Sequence, residues 1–249
     1  MDSSAYAFAH GVKHTRATLE GWQRHPWRVV GRWTAGSALA AAGLLAAVWL
    51  IASLDSGYSR VIQLQPPFAV GDEGDVVHVL RNNLLVLALH AMACVAGFIA
   101  GASLPLQAQQ HKGVSRWLHE HGGRIAIGFV ICATTFSLSA QAYLIGHELA
   151  GISNFLQVSP ATLLLGVLPH AIPELTALFL PLAAWIIASR RGEWDQLLAA
   201  TLVTVAIAVP VLVVAAFVEV YVSPHLFTAL THIHPPIVRQ TEGWTVVVH

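Results

Sequence analysis

His170 and Glu174 stand four residues apart in LPHAIPELTALFLP, Leu168–Pro181, inside an apolar run from Ala161 to Ser189. A histidine and a carboxylate one helical turn apart share a face, the arrangement that passes protons or holds a metal. The run is as long as a membrane span, and there the pair needs partners or water. Each unpaired polar group in hydrocarbon costs several kcal/mol, by rough estimate, so other parts of the chain must answer His170 and Glu174. Pro169, Pro173 and Pro181 sharpen the demand. Each removes a backbone donor and strains the preceding turn, which predicts proline-broken helices with carbonyls open to an ion or water.

Composition says what kind of chain must position this pair. Of 249 residues 55% are hydrophobic and only 10% charged, with a mean hydropathy of +0.63. That excludes an ordinary soluble domain and predicts one polytopic membrane domain. Net charge is zero and no basic block interleaves with aromatics, so nucleic acid is not an expected partner. The two cysteines, Cys94 and Cys132, fall inside apolar runs and read as packing residues rather than a disulfide. The fourteen histidines are unusual, although interfacial and loop positions account for most of them.

The expected fold class is an all-α membrane helical bundle of about five spans, preceded by a surface amphipathic helix over Ala5–Trp27. Residues 1–33 form a basic cytoplasmic or interfacial segment with Trp22 and Trp27 at the headgroups, 34–222 the transmembrane domain, and 223–249 an extracytoplasmic tail. The spans run from about Thr34 to Ser53, Asn82 to Leu104, Ile125 to Ile145, Ala161 to Ser189, and Leu197 to Val222, the last interrupted at Pro210. Between the first two lies an acidic loop, Asp55 to His78, turning near Pro66 and Pro67, and Gln107 to Arg124 is a hydrophilic loop with a Gly122-Gly123 break. Ala93, Gly97 and Gly101 form a small-residue stripe that admits a neighbour, either a span of the same chain or a second copy in a homo-oligomer. The third span carries Thr134, Thr135, Ser137, Ser139 and Gln141, a polar face expected to look into the bundle.

Ten lysines and arginines fall on one side of these spans and three on the other, which puts the amino terminus in the cytoplasm and the carboxyl terminus outside. Depths follow. His170 lies roughly 13 Å and Glu174 about 20 Å below the outer boundary, His90 and Ser137 roughly 12 Å, Gln141 about 6 Å and Glu219 about 5 Å. Several spans therefore offer polar groups to one layer of the outer half. One reading is a water-filled pocket of His170, Glu174 and Glu219, with His90 as a fourth group, that binds a metal or passes protons. The other is a buried His170–Glu219 pair that only fixes how the last two spans pack.

No other chemical signature completes itself. His147-Glu148 begins like a zinc-protease HExxH, but Gly151 occupies the second histidine position. No GxSxG, Walker loop, GxGxxG or CxxC occurs. His225, His232 and His234 offer surface nitrogens in the tail. Nothing identifies an enzyme.

LLLGVLPHAIPELTALFLPLAAW, followed by VVAAFVEVYVSPHL, resembles the signature of the stage II sporulation protein M family of integral membrane proteins. That family shows a proline-histidine-glycine then glutamate pattern in one span and an alanine-phenylalanine-x-glutamate then serine-proline pattern in the next. RNNLLVLALHAMACVAGFIAGASL resembles its asparagine-pair span. The resemblance marks Asn82, Asn83, His170, Glu174, Glu219 and Pro224, and the chain departs from it at Ala171, where the family has glycine, and at Pro173. It implies a membrane component of a machine with peptidoglycan-degrading partners, although many relatives occur outside spore formers.

Two expectations of different class result. One is a non-enzymatic scaffold in a bacterial-type cytoplasmic membrane, positioning envelope-remodelling partners. The other is a transporter, channel or intramembrane metal-dependent enzyme, for which a divalent metal such as zinc is the cofactor that His170, Glu174 and Glu219 would take.

Overall fold

The computed structural model describes residues 14–55, 70–103, 112–232, 237–241 and 244–248. The start of the basic amino-terminal segment with Lys13, the Pro66-Pro67 turn with Arg60, residues 107–111 of the hydrophilic loop, and His234 lie outside the described residues.

Long apolar stretches fold as helices because a chain in hydrocarbon must satisfy its own backbone. In order these are α1 (residues 14–23), α2 (Pro26–Leu54), α3 (Glu73–Phe98), α4 (Gly113–Leu156), α5 (Pro160–Arg191), α6 (Leu197–Phe217) and α7 (Ser223–Thr231). Short π turns follow α3 (Ile99–Ser103) and α6 (Val218–Val222). Five helical segments are long and apolar enough to cross a membrane, so the fold is the expected all-α bundle of a multi-pass membrane protein. A hairpin follows it, β1 (Ile237–Thr241) paired antiparallel with β2 (Trp244–Val248).

The organising helix is α5. It packs against α2, α3, α4, α6 and α7, and 50% of its most apolar stretch is buried, against 6% for α4. Ser159 caps its start by accepting from the Thr162 N–H, and Gly192 ends it at φ 72°, a left-handed turn that returns the Glu193 N–H to the Ala188 carbonyl.

The prolines do not break α5, contrary to the sequence expectation: it is one helix from Pro160 to Arg191. Neighbouring spans also bond to carbonyls of the turns on either side of Pro181. Ser37 of α2 donates to the Thr176 carbonyl, His90 Nδ1 bonds the Leu178 carbonyl at 2.8 Å, and Cys94 Sγ bonds the Pro181 carbonyl at 3.2 Å. Pro210 likewise lies inside continuous α6.

Several loops of the sequence reading are helical. The acidic residues Asp72, Glu73 and Asp75 start α3 through a capping box: Asp72 Oδ1 accepts from the Gly74 and Asp75 N–H groups at 2.7 and 3.1 Å, and Asp75 Oδ2 from the Asp72 N–H at 3.0 Å. Negative charge there also suits the helix dipole. Gly122 and Gly123 continue α4 rather than break it, and at 44 residues α4 is roughly 66 Å long, about twice the hydrocarbon thickness.

The stripe on α3 is filled from within the chain. A methyl group at Gly97 would strike the Trp185 indole, and one at Gly101 would strike Trp194, so these glycines let two tryptophans lie on the α3 backbone. Near the amino-terminal end of α2, Trp22 of α1 meets Trp33 edge-on with ring centroids 5.2 Å apart. The inward stripe Thr15, Thr18, Leu19 and Trp22 makes α1 amphipathic.

Candidate functional site

α5 and the end of α6 frame a cavity of about 470 Å³. Its polar lining comes from His170, Glu219, Ser223 and Asp75, its apolar walls from Leu149, Leu163, Val167 and Phe227. Local backbone chemistry builds it. Pro224 has no N–H to give the carbonyl four residues back, so Val220 O is free to accept from the Gly71 N–H at 3.4 Å, which ties the start of α3 over the cavity. The chain passes this point as a π turn, and Ser223 bonds back to the Val218 carbonyl through its N–H and, at 3.2 Å, its hydroxyl. Phe227, one turn on, lies against Gly166, where a side chain would collide with its ring.

His170 Nδ1 is 2.8 Å from Ser223 Oγ. The serine hydroxyl has one proton, and the Val218 carbonyl can only accept it. That proton can go to the Val218 carbonyl or to Nδ1, so two tautomers fit: with the ring proton on Nδ1 the histidine donates to Ser223 Oγ and keeps Nε2 as an acceptor, with it on Nε2 the serine donates to Nδ1. This corrects the anticipated His170–Glu219 pair: histidine is held by serine, and Glu219 keeps its carboxylate for the cavity.

Glu174 lies within electrostatic reach of Glu219 and beside Asn83 of α3. Glu174 Oε2 and Asn83 Nδ2 are nevertheless buried with no hydrogen-bond partner at bonding distance. Such orphaned atoms are costly in a bilayer and mark sites where function outweighs stability.

Four predicted site residues are elsewhere. His90 is spent on the Leu178 carbonyl and packs against Phe179. Asn82 bonds His78 on its own helix at 3.1 Å and is exposed. Ser137 and Gln141 bond each other at 3.0 Å on the exposed face of α4. The hydroxyl face points outward because the opposite face carries Ala142, Gly146 and Ala150, small residues that let α4 approach Ile51 of α2 closely. An i to i+4 bond satisfies part of what lipid cannot.

The donor set does not suit a metal. No group of three or more histidine, cysteine, aspartate or glutamate side chains that could hold one occurs among the described residues. Asp75 is committed to its capping box. The zinc site expected of His170, Glu174 and Glu219 is not formed by the described residues.

Sequence reasoning missed Ser223, Asp75 and Phe227. Ser223 had a signal: it lies four residues after Glu219, as Glu174 lies four after His170, and it precedes a proline. No protein-family model, no curated protein and no solved structure matches the chain.

Proposed function

We propose that the chain is a multi-pass protein of a bacterial-type cytoplasmic membrane, amino terminus inside, that takes a small organic cation into the outer cavity, as a transporter or solute receptor. The observation that carries this is the pairing of Glu219 with apolar and aromatic walls around about 470 Å³. A bare ion needs a tight cage of oxygens, whereas an amine with a hydrophobic body uses one carboxylate, an acceptor nitrogen and a ring face. Glu219 supplies the charge, Phe227 the ring and, in the tautomer that carries its proton on Nδ1, His170 Nε2 the acceptor. The orphaned Glu174–Asn83 step behind Glu219 offers the next polar station inward. The excess of lysine and arginine at the opposite end supports the orientation.

Thermal stability of the detergent-purified chain tests this with benzylamine and its uncharged match, benzyl alcohol. Benzylamine is expected to raise the melting temperature saturably, benzyl alcohol not, and Glu219→Gln to remove the effect. Equal response to both compounds, or none, would count against it.

The second reading is a non-enzymatic scaffold of the stage II sporulation protein M kind that positions envelope partners. It is favoured by one feature: the His170–Ser223–Val218 bonds also fasten α5 to the turn after α6. On that reading His170→Gln keeps partner capture intact and no amine binds.

A further inference from the structure

At the other end of the bundle, the start of α2 and the end of α5 enclose a second cavity of about 230 Å³ with α1 and the head of α6. Its polar lining is Arg32, Arg191, Glu193 and Gln196, and Trp22 and Trp33 form its aromatic side. Neither guanidinium has an ion-pair or hydrogen-bond partner among the described residues. Both belong to span ends, Arg32 one turn after Arg28 in α2 and Arg191 beside Arg190 in the last turn of α5. Trp27, 84% exposed at the same end, is the kind of side chain that sits at headgroup level.

Two unpaired arginines outweigh the one carboxylate, Glu193, so the cavity as a whole is cationic. Guanidinium forks fit phosphate oxygens bidentately, and the tryptophans give the same hollow an apolar wall with a polar edge. A soluble anion has no use for that wall; a lipid has. The helix α1 closes the hollow through its Trp22 contact with Trp33, so an occupant would also fasten the amphipathic segment to the bundle.

We propose that this cavity binds the phosphate headgroup of an anionic phospholipid, with Arg32 and Arg191 as its ligands and the acyl chains leaving into the surrounding bilayer. The site stands on different residues from the outer cavity and does not depend on what that cavity binds.

The test is saturable binding of short-chain phosphatidylglycerol to the full-length protein in neutral detergent, followed by native mass spectrometry. Phosphatidylcholine, phosphatidylethanolamine and inorganic phosphate are run beside it. Phosphatidylglycerol is expected to bind tightest, and Arg32→Gln with Arg191→Gln to weaken it on the order of tenfold. Arg81→Gln, outside the cavity, is expected to change nothing. Equal binding of the zwitterionic lipids, equal binding of free phosphate, or an equal loss in Arg81→Gln would each overturn the proposal. The comparison of lipids on the unaltered chain decides the matter even if the double variant fails to fold.

Discussion

His170 Nδ1 lies 2.8 Å from Ser223 Oγ, across the seam between α5 and the π turn that ends α6. The bond fixes the plane of the imidazole as well as joining two spans. Ser223→Ala removes both effects. It is expected to cost about 1 kcal/mol of stability and to weaken amine binding by freeing the ring to turn. Thermal denaturation and amine titration of the same variant check the two halves separately.

Glu174 gives the opposite sign. Its Oε2 is buried without a partner beside an equally orphaned Asn83 Nδ2. Glu174→Leu fills similar space with apolar atoms, so stability is expected to hold or to rise by up to about 1 kcal/mol. Amine-dependent transport or uptake is expected to fall. A variant both less stable and fully active would show that the carboxylate serves packing.

Gly97 admits the indole of Trp185, which is wholly buried. Gly97→Ala forces the α3 and α5 backbones apart and is expected to destabilise the fold by about 1–3 kcal/mol. A matching substitution at Gly128, which has open space around it, is expected to be neutral. Tryptophan emission during unfolding reports both.

If all five long apolar segments cross, the ends of the chain lie on opposite sides of the membrane, and the lysine and arginine bias proposes which. A reporter joined to the amino terminus is expected to be active only in the cytoplasm, and one at His249 only outside. Cytoplasmic activity at His249 would remove a span from the count or invert the charge argument.

The number of long apolar helices was legible because apolar length is written directly in the sequence, and His170 and Glu219, read as neighbours, line one cavity. What periodicity could not resolve was which face of a span turns inward. On α4 the hydroxyls drew attention, while Ala142, Gly146 and Ala150, the closer-packing face, settled the rotation. His90 misled for a related reason. A polar group at the right depth serves the nearest acceptor, and for His90 that is the Leu178 carbonyl. Proline also hid the continuity of α5, since the bonds that Ser37, His90 and Cys94 make to its backbone come from other spans and have no local sequence sign. The α3 cap was legible in principle: Asp72 followed three residues later by Asp75 is an N-terminal box, here masked by an acidic run that read as loop.

The most direct measurement is the reactivity of Val70→Cys at the cavity lining toward a membrane-impermeant thiol reagent, in intact cells and in a Cys132→Ser background. The account predicts that reagent added outside labels the cysteine, that benzylamine slows labelling, and that Glu219→Gln abolishes this protection. Labelling from the cytoplasmic side alone, or a rate indifferent to benzylamine, would contradict it.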